Sequence, residues 1–316
     1  MSIYLHEHKD FISLINILAE EKGIEAGLIE KDYWMMHVLH GLKIQGFEFE
    51  LKGGTSLSKG YNIIHRFSED IDIHIQPPAK FGVNENPKNC NASNVLKRKE
   101  FYEWLAKEIR IPGIVTVERD IAFDDLECYR SGGIRLYYKN VVNKIEGVKE
   151  GILLEAGFDD VTPNLPLSIS SWAFNKAFEV GVDVLDNRAN EVACYHPGYT
   201  FVEKLQTIVT KFRNEQMNGK KGPNFMRQYY DIYCLLNSTE VLNFIGTDEY
   251  FSHKKKRFPK ADLEIPINKN EAFLLSSTGL RTDFISRFKS TAALYYQGQP
   301  DFEEVLQRIA LHIDSL

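Results

Sequence analysis

Asp70 and Asp72, one residue apart in "DIDIHI", are the pair in this 316-residue chain whose type and spacing most directly offer chemistry. The segment alternates as a strand does. Asp70, Asp72 and His74 share one face, while Ile71, Ile73 and Ile75 take the other. Both carboxylates then point the same way, roughly 6–7 Å apart along the strand. Like charges so placed repel unless something neutralises them, and in phosphoryl chemistry a pair of divalent cations is the usual solution. Hard oxygen ligands favour magnesium or manganese. Such a site generally takes a third carboxylate from a neighbouring strand, and "GILLEAGF" offers Glu155, a lone charge among apolar residues. A buried carboxylate without a partner is costly, so Glu155 is either a ligand or a charge near a strand end that reaches water.

The residues before the pair suit a phosphate. "FEFELK" alternates Phe47, Phe49 and Leu51 with charged residues and reads as a half-buried strand delivering the chain to Gly53 and Gly54. Glycines permit a tight turn and a close backbone approach. A helix is predicted from Thr55 to His65, its free N–H groups and positive dipole end facing a phosphate. A double glycine alone marks only a turn, and a D-x-D alone only a solvated strand face. Their succession as strand, turn, helix and strand points to nucleotide chemistry. The EF-hand pattern lacks its Gly and Glu positions here, and the P-loop its G-K-[ST] ending.

Around this unit the chain falls into three zones: a helical segment over 1–45, an α/β core over 46–170 and a helical part over 171–316 that completes the cleft. In the first, Ile29, Tyr33, Met36 and Leu39 or His40 recur on one helical face. The core has further strands at "GIVTVERD", "GIRLYYKN" and "GILLEAGF" and a helix from Lys97 to Ile111. Between Gln76 and Asn94, a stretch rich in Pro, Asn and Gly reads as a long loop beside the aspartates. In the third zone Phe201, Leu205, Ile208 and Phe212 form a stripe, and "FMRQYYDIYCLL" reads as a buried helix. No apolar run is long enough to span a bilayer and no leader pattern opens the chain, so a cytoplasmic protein is expected. Cys90, Cys128, Cys194 and Cys234 are scattered without metal spacing and are expected to be reduced thiols. The formal charge of −6 excludes a protein that coats nucleic acid over its whole surface. It is unevenly spread: Glu203 to Lys260 carries eleven Lys and Arg against six Asp and Glu, a net of +5.

"KGGTSLSKGYNIIHRFSEDIDI" resembles the first motif of the AbiEii/AbiGii group, nucleotidyltransferase-fold toxins of abortive-infection and type IV toxin–antitoxin systems, through Lys52, Gly53, Gly54, Thr55, Leu57, Arg66, Ser68, Asp70 and Asp72. "IEKDYW" is similar to the segment before it, and Glu203, Lys204, Arg227 and Asp231 resemble the later motifs. The resemblance implies an α+β (α/β) protein: a mixed β-sheet core with helices, followed by a mostly helical C-terminal part. It implies that Gly53, Gly54, Thr55 and Ser56 hold the triphosphate, that Asp70, Asp72 and Glu155 bind Mg2+ or Mn2+, and that Lys204 and Arg227 contact the nucleotide. Asp231 would complete the catalytic set. The residues leave plainer alternatives open: Lys204 as a surface lysine along an apolar stripe, and Asp231 as an i, i+4 partner of Arg227.

Three functions follow. The first is an enzyme that moves a nucleoside monophosphate from an NTP to an acceptor, an RNA end such as a tRNA 3′ end, with an antitoxin gene product as its partner. The second is a binding module that kept the fold without the chemistry, and the third a transferase acting on a protein or small-molecule hydroxyl. Three converging carboxylates favour an enzyme, and the +5 window favours RNA.

Overall fold

The computed structural model describes residues 2–145, 148–222 and 224–316. They form two compact units, one of residues 1–61 and 67–195, the other of residues 62–66 and 196–316.

The first unit is built on a seven-stranded mixed sheet. Its strands are β1 (Phe49–Lys52), β2 (Asp70–Ile75), β3 (Ile114–Asp120), β4 (Ser131–Tyr138), β5 (Ile152–Gly157), β6 (Asn164–Ile169) and β7 (Ala189–Tyr195), in the order β3-β4-β5-β2-β1-β7-β6. β2 is central, antiparallel to β1 and parallel to β5. Its alternation is the one read from the sequence: Ile71, Ile73 and Ile75 are buried and Asp70, Asp72 and His74 lie on the half-exposed face. β7 extends the sheet beyond residue 170, where the composition reads as helical. β7 pairs in parallel with β1, a contact between distant segments that periodicity does not encode.

The helix Ala26–Ile44 buries more than the predicted stripe, including three successive charges, Glu30, Lys31 and Asp32. Each is satisfied, as burial requires. Glu30 accepts from the amides of Val141 and Val142, and Lys31 donates to the Lys149 carbonyl at 2.8 Å. Asp32 accepts from the Trp172 amide and pairs with Lys59. "IEKDYW" is therefore the brace that ties the sheet's connecting segments to one helix.

Two expectations are corrected. The helix predicted from Thr55 to His65 is a short turn, Gly53–Thr55, continued by a π-helical turn that ends at Gly60. Asn62 then adopts a left-handed conformation, and residues 62–66 join the second unit, where Arg66 forms a bridge with Tyr295 and the Tyr296 amide donates to the His65 carbonyl. Apolar periodicity does not register this diversion. Cys90 and Cys128 are joined in a disulfide, with Cα atoms 5.0 Å apart. Thirty-eight residues separate them, so only the fold brings them together. Cys194 and Cys234 are free and buried.

The long loop after β2 is tethered rather than loose. His74 bridges Glu50 and Glu85 at 2.6 Å each, and Arg98 donates to the carbonyls of Asn84, Asn86 and Cys128. The following helix starts at Ala92, capped by the Asn91 side chain, five residues before the predicted start.

The second unit is helical among its described residues. The helix Pro197–Asn218 buries the predicted stripe of Phe201, Leu205, Ile208 and Phe212, and Phe225–Leu235 packs on it. Tyr229, Phe284, Phe288 and Phe302 fill the core beside them. No described helix is long and apolar enough to cross a membrane.

Candidate active site

In the first unit, the parallel pairing of β2 with β5 sets Asp72 opposite Glu155. Burial and the charges of Asp72 and Asp70 push the Glu155 carboxyl up to about 7, and Lys149 and Lys52 pull it back only in part. The three carboxylates thus act on one another. Asp70 lies two residues away on the same face of β2, its Oδ2 3.6 Å from the Lys149 ammonium. Its Oδ1 is buried without a hydrogen-bond partner. A carboxylate oxygen in that state is open to a ligand.

Gly53 explains the first glycine of the motif. It sits at φ +70°, and a Cβ there would lie 2.3 Å from Asp72 Oδ2. The sequence reading reserves the close approach for a phosphate, whereas here the backbone comes against the carboxylate itself. Gly53→Ala is expected to strain the turn by about 1–2 kcal/mol from the left-handed conformation alone and to displace Asp72. Transfer activity should fall with stability in a thermal melt. A variant that melts and turns over like the parent would refute the close approach.

Thr55 donates its hydroxyl to the Asp70 carbonyl at 2.7 Å, fastening the glycine turn to the start of β2. Gly54 and Thr55 are buried, and Ser56 is fully buried beside the Cys194 thiol. Lys52 pairs with Asp159 just beyond β5. Asp159 and Lys149 border the carboxylates and were not singled out from the sequence. Their signal was position alone, since they flank the strand that carries Glu155.

The second unit holds the remaining predicted residues. Asp231 is fully buried and accepts from Arg66 through both oxygens, at 2.7 Å each, while Lys204 lies 2.8 Å from Oδ2. Burial alone would raise this carboxyl, but Arg66 and Lys204 outweigh it and hold it below its ordinary value. Asp231 is therefore the anchor of two cations rather than a simple i, i+4 partner, and Arg66 is the residue that sequence spacing could not assign to it. Lys204 is the part-exposed member, at 12% side-chain exposure. Arg227 is half-buried on the same helix as Asp231.

Asp70, Asp72 and Glu155 supply hard oxygen donors of the type a divalent cation takes. Among the described residues no group of three or more His, Cys, Asp or Glu side chains is placed so that it could hold a metal ion as it stands.

No curated protein sequence matches the chain. A family model described as nucleotidyl transferase AbiEii toxin, type IV TA system, matches residues 44–308, the span that carries the glycine turn, the carboxylates and Asp231. The chain belongs to this AbiEii family of nucleotidyl transferase toxins of type IV toxin–antitoxin systems.

Proposed function

We propose that the protein transfers a nucleoside monophosphate from an NTP to the 3′-terminal hydroxyl of an RNA, most simply a tRNA, in a Mg2+- or Mn2+-dependent reaction. The acceptor oxygen bonds to the α-phosphorus, the bond from the α-phosphorus to the bridging oxygen breaks, and pyrophosphate leaves. The observation that carries this reading is the placement of Glu155 opposite Asp72, with Asp70 Oδ1 unpartnered beside them. Asp70, Asp72 and Glu155 would hold the metal, which when bound acidifies the attacking hydroxyl and stabilises charge on the phosphate. Gly53 keeps the backbone against Asp72, and Thr55 pins the turn that carries Gly54 and Ser56 near the triphosphate. The site works in the cytoplasm, and an antitoxin gene product counters it.

A basic surface supports an RNA acceptor. In the helix Asp248–Arg257, Lys255 and Lys256 are exposed, as is Lys260 beyond it. Lys254 is instead turned inward to the Leu316 carbonyl at 2.5 Å, and Arg257 faces Glu203 at 3.4 Å. Phe258, Tyr229 and Tyr230 are buried in the core, so base stacking on them is not part of this surface. The test incubates the protein with each labelled NTP, magnesium and total RNA. Replacing Lys255, Lys256 and Lys260 together by Glu should weaken RNA labelling about tenfold or more at physiological salt, through lost phosphate contacts. NTP affinity should be spared. Label on protein alone, or unchanged RNA labelling by the triple variant, rejects the RNA acceptor.

A further inference from the structure

The second unit contains a cavity of about 440 Å³ lined by Ile63, His65, Tyr230, Tyr233, Asn237 and Gln299, among others. We infer that it seats a nucleobase. The inference rests on the nucleotidyl-transfer reading for the class of ligand, and on the following features for the site.

The lining holds no Lys, Arg, Asp or Glu. A phosphate or a metal ion would find no countercharge there, so the cavity suits a neutral group. What it offers is aromatic and amide surface: the half-buried ring of Tyr233, with the largely buried Tyr230 beside it at a centroid separation of 6.5 Å, and the side chains of Asn237, Gln297 and Gln299. Rings and convergent polar ends are the usual complement of a flat heterocycle with donors and acceptors on its edge. Gln299 is held in place by its amide, which donates to the Phe288 carbonyl at 2.8 Å and meets Thr291 Oγ1 at 3.1 Å.

His65 also lines the cavity. Its Nδ1 is buried and has no partner. A nitrogen that solvent cannot reach is not presented to a ligand in the cavity, so only the accessible part of the ring contributes to the site. Burial keeps this ring below the ordinary histidine value, which favours the neutral form in the cavity wall. The backbone around it is pinned, with His65 N accepted by the Tyr230 hydroxyl at 3.3 Å and the Tyr296 hydroxyl donating to the Ile64 carbonyl.

Position supplies the last argument. His65 and Tyr230 are the chain neighbours of Arg66 and Asp231, the buried pair to which Lys204 is joined. Lys204 itself stands on the helix Pro197–Asn218, which packs on the helix that carries Tyr230, so one unit holds both a neutral aromatic cavity and a cation, the complements of a base and a phosphate. The base belongs either to the NTP or to the terminal nucleotide of the RNA.

Asn237 and Gln297 are exposed, so Asn237→Trp and Gln297→Trp should occlude the mouth without touching the core. Dissociation constants would be measured without turnover for each of the four NTPs, for inorganic tripolyphosphate, and for a fluorescent single-stranded RNA with a free 3′ hydroxyl. If the donor's base sits here, at least one NTP binds tenfold or more weakly to both variants while tripolyphosphate binding is unchanged. If the acceptor's base sits here, RNA binding weakens tenfold or more and NTP binding does not. The inference is overturned if variants that melt like the parent bind every NTP and the RNA within twofold of it, or if tripolyphosphate binding falls in step with NTP binding. A parent protein that binds NTP but labels no acceptor would defeat the proposed reaction and leave the cavity's role to be decided by these constants.

Discussion

Asp70→Asn and Asp72→Asn should each lower nucleotide transfer by about a thousandfold, as expected when several kcal/mol of metal-derived stabilisation is removed from the transition state. A neutral amide is a poor ligand for a hard dication. The fold should survive, because Asp70 and Asp72 lie on the half-exposed face of β2, away from Ile71 and Ile73. The metal-free melting temperature should hold or rise, since each change removes one of three mutually repelling charges. The pH dependence follows the same charges. Glu155 is raised from 4.5 to about 7 by burial and by Asp72 and Asp70, so the folded metal-free protein holds a proton that the unfolded chain has lost. That contribution to stability is complete below about 4.5 and is lost as the pH rises through about 7. Asp72→Asn should shrink this window. Turnover near that of the parent in magnesium, with either variant, would show that these carboxylates do not carry the metal.

Asp231→Ala is expected to have the largest effect on stability. Asp231 is wholly buried between Arg66 and Lys204, and its removal leaves the Arg66 guanidinium, 5% exposed, without its countercharge. Breaking a buried pair from one side costs about 3–5 kcal/mol, because the partner's desolvation is no longer offset. Urea denaturation, with unit two followed through its tyrosines, measures it. Asp231→Asn should fall between the parent and Ala, since the amide keeps one acceptor for Arg66. A loss under about 1 kcal/mol for the Ala variant would mean that Arg66 reaches water when unpaired. Lys204→Met should cost less, because Lys204 is the partly exposed member of the three. It should instead weaken NTP binding, which separates its charge from the structural role of Asp231.

Much of the candidate site's geometry was legible because it is local. A strand presents alternate residues to opposite faces, so "DIDIHI" placed Asp70 and Asp72 together and buried the isoleucines without reference to any other segment. Glu155 stood out as the one charge in an apolar run, and the stripe on the helix Pro197–Asn218 followed from its period. Two glycines announced a turn.

Which groups those residues meet was decided by contacts between distant segments, and such contacts leave no trace in periodicity. The parallel pairing of β2 with β5 chose Asp72 as the neighbour of Glu155, although 83 positions along the chain part the two residues. The same long-range packing pressed Gly53 onto Asp72, turned Thr55 to the Asp70 carbonyl and assigned Arg66, from beyond the glycine turn, to Asp231. It also drew residues 62–66 into the second unit, where Arg66 bridges Tyr295, so that the predicted helix ends at Gly60, and it joined Cys90 to Cys128. Backbone geometry and side-chain alternation are properties of neighbouring residues, so the sequence alone determined which residues share the carboxylate face of β2. Burial, register and countercharge are properties of the packed chain, so only the tertiary structure could decide that Asp70 keeps an unpartnered oxygen while Asp231 is held by two cations.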